Sequence, residues 1–209
     1  MFTMDIRNID IVYLHGPHRP ERREHMEKMF DKNELKGSCF EGVCDKGKMS
    51  AVYGMISLME DRLKGEFKPF IFMEDDVSVT PWFRHVIDVP DGTDAVYLGI
   101  SLYSLHPYID RAIPVIQADK VADFPDLLRL HNMLSTHAVL FNTRRWTENC
   151  LECYRRTLRE NSASQSPDFD FYPARSMPNF RVYALKQPLF YQDAAVGGQQ
   201  DPTLIQLKV

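Results

Sequence analysis

The stretch Pro69–Phe83 reads PFIFMEDDVSVTPWF, an apolar run that ends in three adjacent carboxylates, Glu74, Asp75 and Asp76. The run is the length of a buried strand, and its β-forming residues favour that state over a helix. Adjacent acids repel one another, and no Lys or Arg follows them before Arg84. The sequence therefore predicts a neutralising group from outside the chain. Because side chains alternate along a strand, Glu74 and Asp76 are expected on one side and Asp75 on the other. Two carboxylates converging at a strand end form a hard-oxygen site for Mg²⁺ or Mn²⁺, an ion usually shared with phosphate oxygens. The alternative is a solvated turn in which Asp75 or Asp76 caps backbone amides.

Elements on either side set the architecture. Ile9–His15 (IDIVYLH) reads as a buried strand, and Pro20 opens a helix through Asn33 with Met26, Met29 and Phe30 as its apolar stripe. Met49, Val52, Ile56, Met59 and Leu63 recur at helical spacing before the acidic strand. DAVYLGIS and THAVLFN read as further strands, TRRWTENCLECYRRTLRE as a helix, and FRVYALKQPLF as a last strand. Residues 102–134 read as short strands or a hairpin. Strands alternating with helices predict an α/β fold, a mostly parallel central sheet flanked by helices, with ligands bound beyond the carboxyl ends of its strands.

The 209 residues, 44% hydrophobic and 11% aromatic, suit one ordinary globular domain spanning 1–209. A net charge of −4 gives no electrostatic footprint for nucleic acid. No run of about 18 apolar residues exists to form a transmembrane segment, and the N-terminus lacks a secretory h-region, so a cytoplasmic location is expected. Cys150 and Cys153 have CxxC spacing but fall within a helical pattern. They are expected, with Cys39 and Cys44, to be free thiols.

The order of several pieces resembles the GT-A fold nucleotide-sugar glycosyltransferases, particularly glycosyltransferase family 25, the lipopolysaccharide and procollagen galactosyltransferase type. These pieces are IVYLHGPHRPERREHM, KMSAVYGMISLMEDRL, FIFMEDDV, DAVYLG, STHAVLF, PDFDF and YALKQPLFYQ. The chain departs from that pattern at DKGKMS, at Val139 where the family has tyrosine, and at GGQQDPTLI near the end. The resemblance implies a Rossmann-like GT-A domain using Mn²⁺ or Mg²⁺ and a UDP-sugar donor, with a glycan or glycoprotein acceptor. It supports the Glu74-Asp75-Asp76 position as the metal site; within it the chemistry of the leaving diphosphate assigns Glu74 and Asp76 as metal ligands or metal-proximal groups, with Asp75 as an alternate that reaches the ribose. Tyr13, Leu14 and His15 would line the base, and Arg19 and Arg22 would pair with phosphate. His137 reads either as a hydrogen-bonded core residue or as a metal contact. An inverting transfer needs a base, for which Asp168 and Asp170 are the candidates, with Asp193 and Asp201 as alternatives. A metal-dependent phosphohydrolase and a silent nucleotide- or glycan-binding module are the competing readings.

Overall fold

Alternation of apolar residues along the strands decides where each helix packs. The computed structural model describes residues 1–43, 49–106, 112–160 and 170–198. Its elements are β1 (Phe2–Asp5), β2 (Asp10–His15), α1 (Pro20–Lys32), β3 (Gly37–Glu41), α2 (Ser50–Arg62), β4 (Phe70–Glu74), β5 (Val77–Val79), β6 (Val86–Val89) and β7 (Ala95–Tyr97). There follow β8 (Ser104–Leu105), β9 (Ala112–Ile113), β10 (Gln117–Lys120), β11 (Leu127–Asn132), β12 (Ala138–Phe141), α3 (Arg144–Glu160), α4 (Phe171–Ser176), β13 (Val182–Leu185) and β14 (Phe190–Gln192).

Eight strands form the central sheet in the order β10-β11-β13-β7-β12-β4-β2-β3. Parallel pairing joins β3, β2 and β4 and, separately, β13 and β7. The other neighbours run antiparallel, so the expected mostly parallel sheet is a mixed one. The physical reason is connectivity. The strand β12 returns between β4 and β7 instead of crossing over, and β10 and β11 pair as an antiparallel hairpin. Short ribbons β1–β6, β5–β14 and β8–β9 lie outside this sheet.

On one face Val12, Phe70, Phe72 and Phe141 pack with Val52, Met55 and Met59 of α2 and Trp146 and Tyr154 of α3. Phe70 and Phe141 stack with ring centroids 4.9 Å apart, a contact that adds to simple area burial. On the other face Ile11, Tyr13, Ile71 and Met73 cover Met26, Met29 and Phe30 of α1. The two-residue period of β2 and β4 thus gives each helix its own apolar layer. The stripe of α2 is rotated from its expected line: Met55 and Leu58 are buried at its centre, with Met49, Ile56 and Leu63 along its edges. Gly54 fixes how close α2 approaches, because a Cβ there would meet Leu14 Cδ1 at 2.8 Å. A glycine within a helix costs about 1 kcal/mol, which this close approach must offset. Cys39, Cys150 and Cys153 are free thiols, while Cys44 lies outside the described residues. No helix among the described residues is long and apolar enough to cross a membrane.

Candidate functional site

The carboxyl ends of β3, β2 and β4 open on one side of the sheet, as do the first residues of α2. Between them lies a cleft of about 290 Å³. Leu14, Val43, Ala51 and Phe72 supply its apolar surface, and His15, Arg22, Glu74 and Asp75 its polar wall. Ser50 and Ala51, the first residues of the 13-residue helix α2, border the cleft, and a helix start is a favourable place for an anion.

The acidic cluster does not follow strand alternation, because β4 stops at Glu74 and the chain turns at Asp75 and Asp76. Glu74 accepts hydrogen bonds from Thr136 Oγ1 at 2.6 Å and Gln192 Nε2 at 2.7 Å. Burial, reinforced by the charge of Asp76 and then of Asp170 and Asp75, raises its pKa to about 8, against the opposing Thr136 hydrogen bond. Asp75 is fully engaged: its Oδ2 accepts from His15 Nδ1 at 3.0 Å and from the Gly16 amide at 3.1 Å, its Oδ1 from Arg22 at 2.7 Å. Asp76 Oδ2 lies 3.2 Å from the same Arg22 nitrogen. Its Oδ1 is buried and accepts no hydrogen bond from the described residues, with Gln192 alongside. Burial raises the pKa of Asp76, opposed by Arg22, assisted by Asp75 and opposed again by hydrogen bonding from Gln192 and its own backbone.

Arg22 overturns the expectation that neutralisation comes wholly from outside the chain. From α1 it reaches Asp75 and Asp76, and it also donates to the carbonyl oxygens of Val196 and Gly197. The guanidinium therefore ties the acidic turn to the loop after β14. A cation 53 residues away in sequence does what no neighbour of the acids does.

The other expected residues separate clearly. Leu14 and His15 line the cleft, but Tyr13 does not. It is 2% exposed and packs against Phe30 on the face opposite Leu14, as alternation along β2 directs, while His15 reaches the cleft from the strand's last position. Arg19 stays exposed, within 3.9 Å of Glu21 and beside Gly197. His137 is a core histidine: its Nδ1 is 3.0 Å from Ser135 Oγ, and burial lowers its pKa to about 3. Its ring presses on Gly99, where a Cβ would come within 2.3 Å, and its carbonyl oxygen accepts from the Glu74 amide at 3.0 Å. Its Nε2 is buried with no hydrogen-bond partner among the described residues, and the register of β12 on β4 sets His137 opposite Glu74. Asp170 stands at the entrance to α4 without a side-chain capping bond, close enough for its charge to act on Glu74. Asp168 and Asp201 lie outside the described residues. Asp193 instead caps the turn after β14 by accepting from the Ala195 amide and from Ser78.

Among the described residues, no three His, Cys, Asp or Glu side chains converge as a metal cage. The donor set fits a divalent ion only in the shared manner, with Asp76 Oδ1 as its open protein oxygen, Glu74 beside it and the remaining positions left to a ligand. Thr136 and Gln192, which hold Glu74, went unread in the sequence. Thr136 is part of the STHAVLF piece but carries no motif of its own, and Gln192 is 118 residues from its partner.

No family model matches the sequence, and a search of curated proteins returns no match. Among solved structures, the chain is similar to a glycosyltransferase involved in glycosylation of the major capsid of PBCV-1, with 11% identity and a TM-score of 0.48 over 94% of this chain and 96% of that one. It is similar to the galactosyltransferase LgtC bound to donor and acceptor sugar analogues, with 11% identity and a TM-score of 0.41 over 84% and 73%. It is also similar to the inositol-1-phosphate CTP transferase of T. maritima, with 14% identity and a TM-score of 0.43 over 98% and 96%. The functional reading therefore rests on the side chains at the strand ends.

Proposed function

We propose that residues 1–209 form a GT-A type glycosyltransferase that takes a nucleoside diphosphate sugar, a UDP-sugar by the family resemblance, and passes the hexose to a hydroxyl of a glycan or glycoprotein. The observation that carries this reading is Asp76 Oδ1, a buried carboxylate oxygen with no hydrogen bond from the described residues, next to Glu74 and Asp75, which line the cleft. Asp76, with Glu74, would hold Mn²⁺ or Mg²⁺ together with the donor's phosphate oxygens. When bound, that ion offsets the negative charge gathering on the leaving diphosphate.

The chain's own residues supply the rest. The apolar patch of Leu14, Val43, Ala51 and Phe72 receives the base, and the start of α2 faces the phosphates. Thr136 and Gln192 hold the Glu74 carboxyl in place from two sides. Asp170 takes the proton from the acceptor hydroxyl, as an inverting transfer requires.

The test is transfer from a panel of UDP-sugars in Mn²⁺. Asp170→Asn is expected to leave donor affinity within about twofold while slowing transfer by roughly 100-fold or more. A normal transfer rate in that variant removes Asp170 from the chemistry. Failure of every donor to be hydrolysed or transferred removes the transferase reading itself.

A further inference from the structure

The cleft contains a residue whose hydrogen-bonding sense is set by the protein. His15 is 3% exposed, yet it lines the cleft beside the apolar patch. Its Nδ1 faces Asp75 Oδ2, an oxygen that also accepts from the Gly16 amide, while Arg22 donates to the other oxygen. Amide and guanidinium can only donate, so Asp75 sits here as an acceptor on both oxygens. The shared contact with His15 then needs its hydrogen on Nδ1, which leaves the lone pair of a neutral ring on Nε2. With Nδ1 engaged, Nε2 is the polar atom that the ring can offer to a ligand.

An acceptor beside a slot for a flat base distinguishes bases by their ring nitrogens. Uracil- and guanine-type bases carry an imide N–H that can donate to Nε2. Cytosine and adenine place a ring-nitrogen lone pair at that edge, and two lone pairs facing each other leave both groups unpaired in a buried setting. Resting on the nucleotide reading of the cleft, we propose that the Asp75–His15 pair makes it selective for nucleoside diphosphates whose base carries an imide N–H. His15 is the contact and Asp75 its positioning residue. The middle acid of the cluster is thus assigned to the imidazole, not to the ribose.

Two measurements test this. Calorimetry at pH 8 in Mn²⁺ with UDP, GDP, CDP and ADP should show UDP or GDP binding roughly tenfold or more tightly than CDP and ADP. His15→Phe, which keeps a flat ring and removes the acceptor, should bring the preferred nucleotide down to the level of CDP. Nitrogen-15 NMR of the unliganded protein should find His15 with hydrogen on Nδ1, and Asp75→Asn should convert that signal to a mixture of tautomers. Hydrogen on Nε2 in the native chain overturns the proposal without any variant having to fold. Equal binding of all four nucleotides overturns the selectivity but leaves the nucleotide site standing. Binding of none overturns both.

Discussion

The acids at opposite ends of one sheet, Asp94 at one and Glu74 with Asp76 at the other, have opposite characters. Asp94 precedes β7 and is fully buried. Its carboxylate accepts from Thr143 Oγ1 at 2.7 Å, from Arg145 Nε at 2.6 Å and a second Arg145 nitrogen, and from the Arg181 amide at 2.8 Å. Burial alone pushes its pKa up, but the bonds from Arg145, Arg181 and Thr143 more than reverse this and hold it below the usual carboxylate range. At the other end, burial dominates at Glu74 and Asp76, both are held above that range, and Asp76 Oδ1 accepts no hydrogen bond from the described residues. Asp94 is satisfied by the fold it holds together. The Glu74–Asp76 end is left incomplete, and it is the end that faces a cleft. Incomplete satisfaction at a strand end, more than acidity itself, marks the place where a ligand belongs.

Breaking the satisfied end should cost most. Asp94→Ala strands the Thr143 hydroxyl and the Arg181 amide, and should lower unfolding free energy by about 2–4 kcal/mol in urea titrations. Its pH signature follows from the sign of its shift. A depressed folded pKa gives stability that is present above the unfolded value and lost as pH falls through the folded one.

Glu74 has the opposite sign. Its raised pKa means that stability falls as pH climbs from the ordinary carboxylate range through about 8. In metal-free buffer, Glu74→Gln should therefore be more stable than the native chain by about 1–3 kcal/mol at pH 9 and nearly equal at pH 4. Equal stability at both values would show that Glu74 titrates as an ordinary surface acid.

The smallest effect on folding is expected at Asp76. Asp76→Asn should change stability by less than about 1 kcal/mol, because it removes a charge that burial disfavours. The same substitution should weaken UDP binding in Mn²⁺ by roughly tenfold. A large loss of stability with unchanged UDP affinity would make Asp76 a second Asp94.

Much of the frame was readable in the sequence because long apolar periods report directly on packing. The strands β2, β4, β7, β12 and β13 and the helices α1, α2 and α3 fall where their patterns put them. Edge strand β3, GSCFE, leaves no pattern in the sequence, since none of its five residues is buried and it carries no apolar alternation. The position of the acidic corner was legible, but its internal division was not. Alternation was extended past the end of β4, where the chain had already turned. Arg22, Thr136 and Gln192 meet the acids only through tertiary folding, across 53, 62 and 118 residues. Tyr13 was a different kind of error: the two-residue period of β2 sets it on the face opposite Leu14, and His15, on Tyr13's face, lines the cleft from the end of the strand.

Titrating UDP into the native chain by calorimetry, once in Mn²⁺ and once in EDTA, tests the central claim most directly. The account predicts binding in Mn²⁺ that weakens by roughly tenfold or more when the ion is removed. Binding of equal strength in both buffers would contradict it and leave Arg22 as the only cation the acidic corner requires.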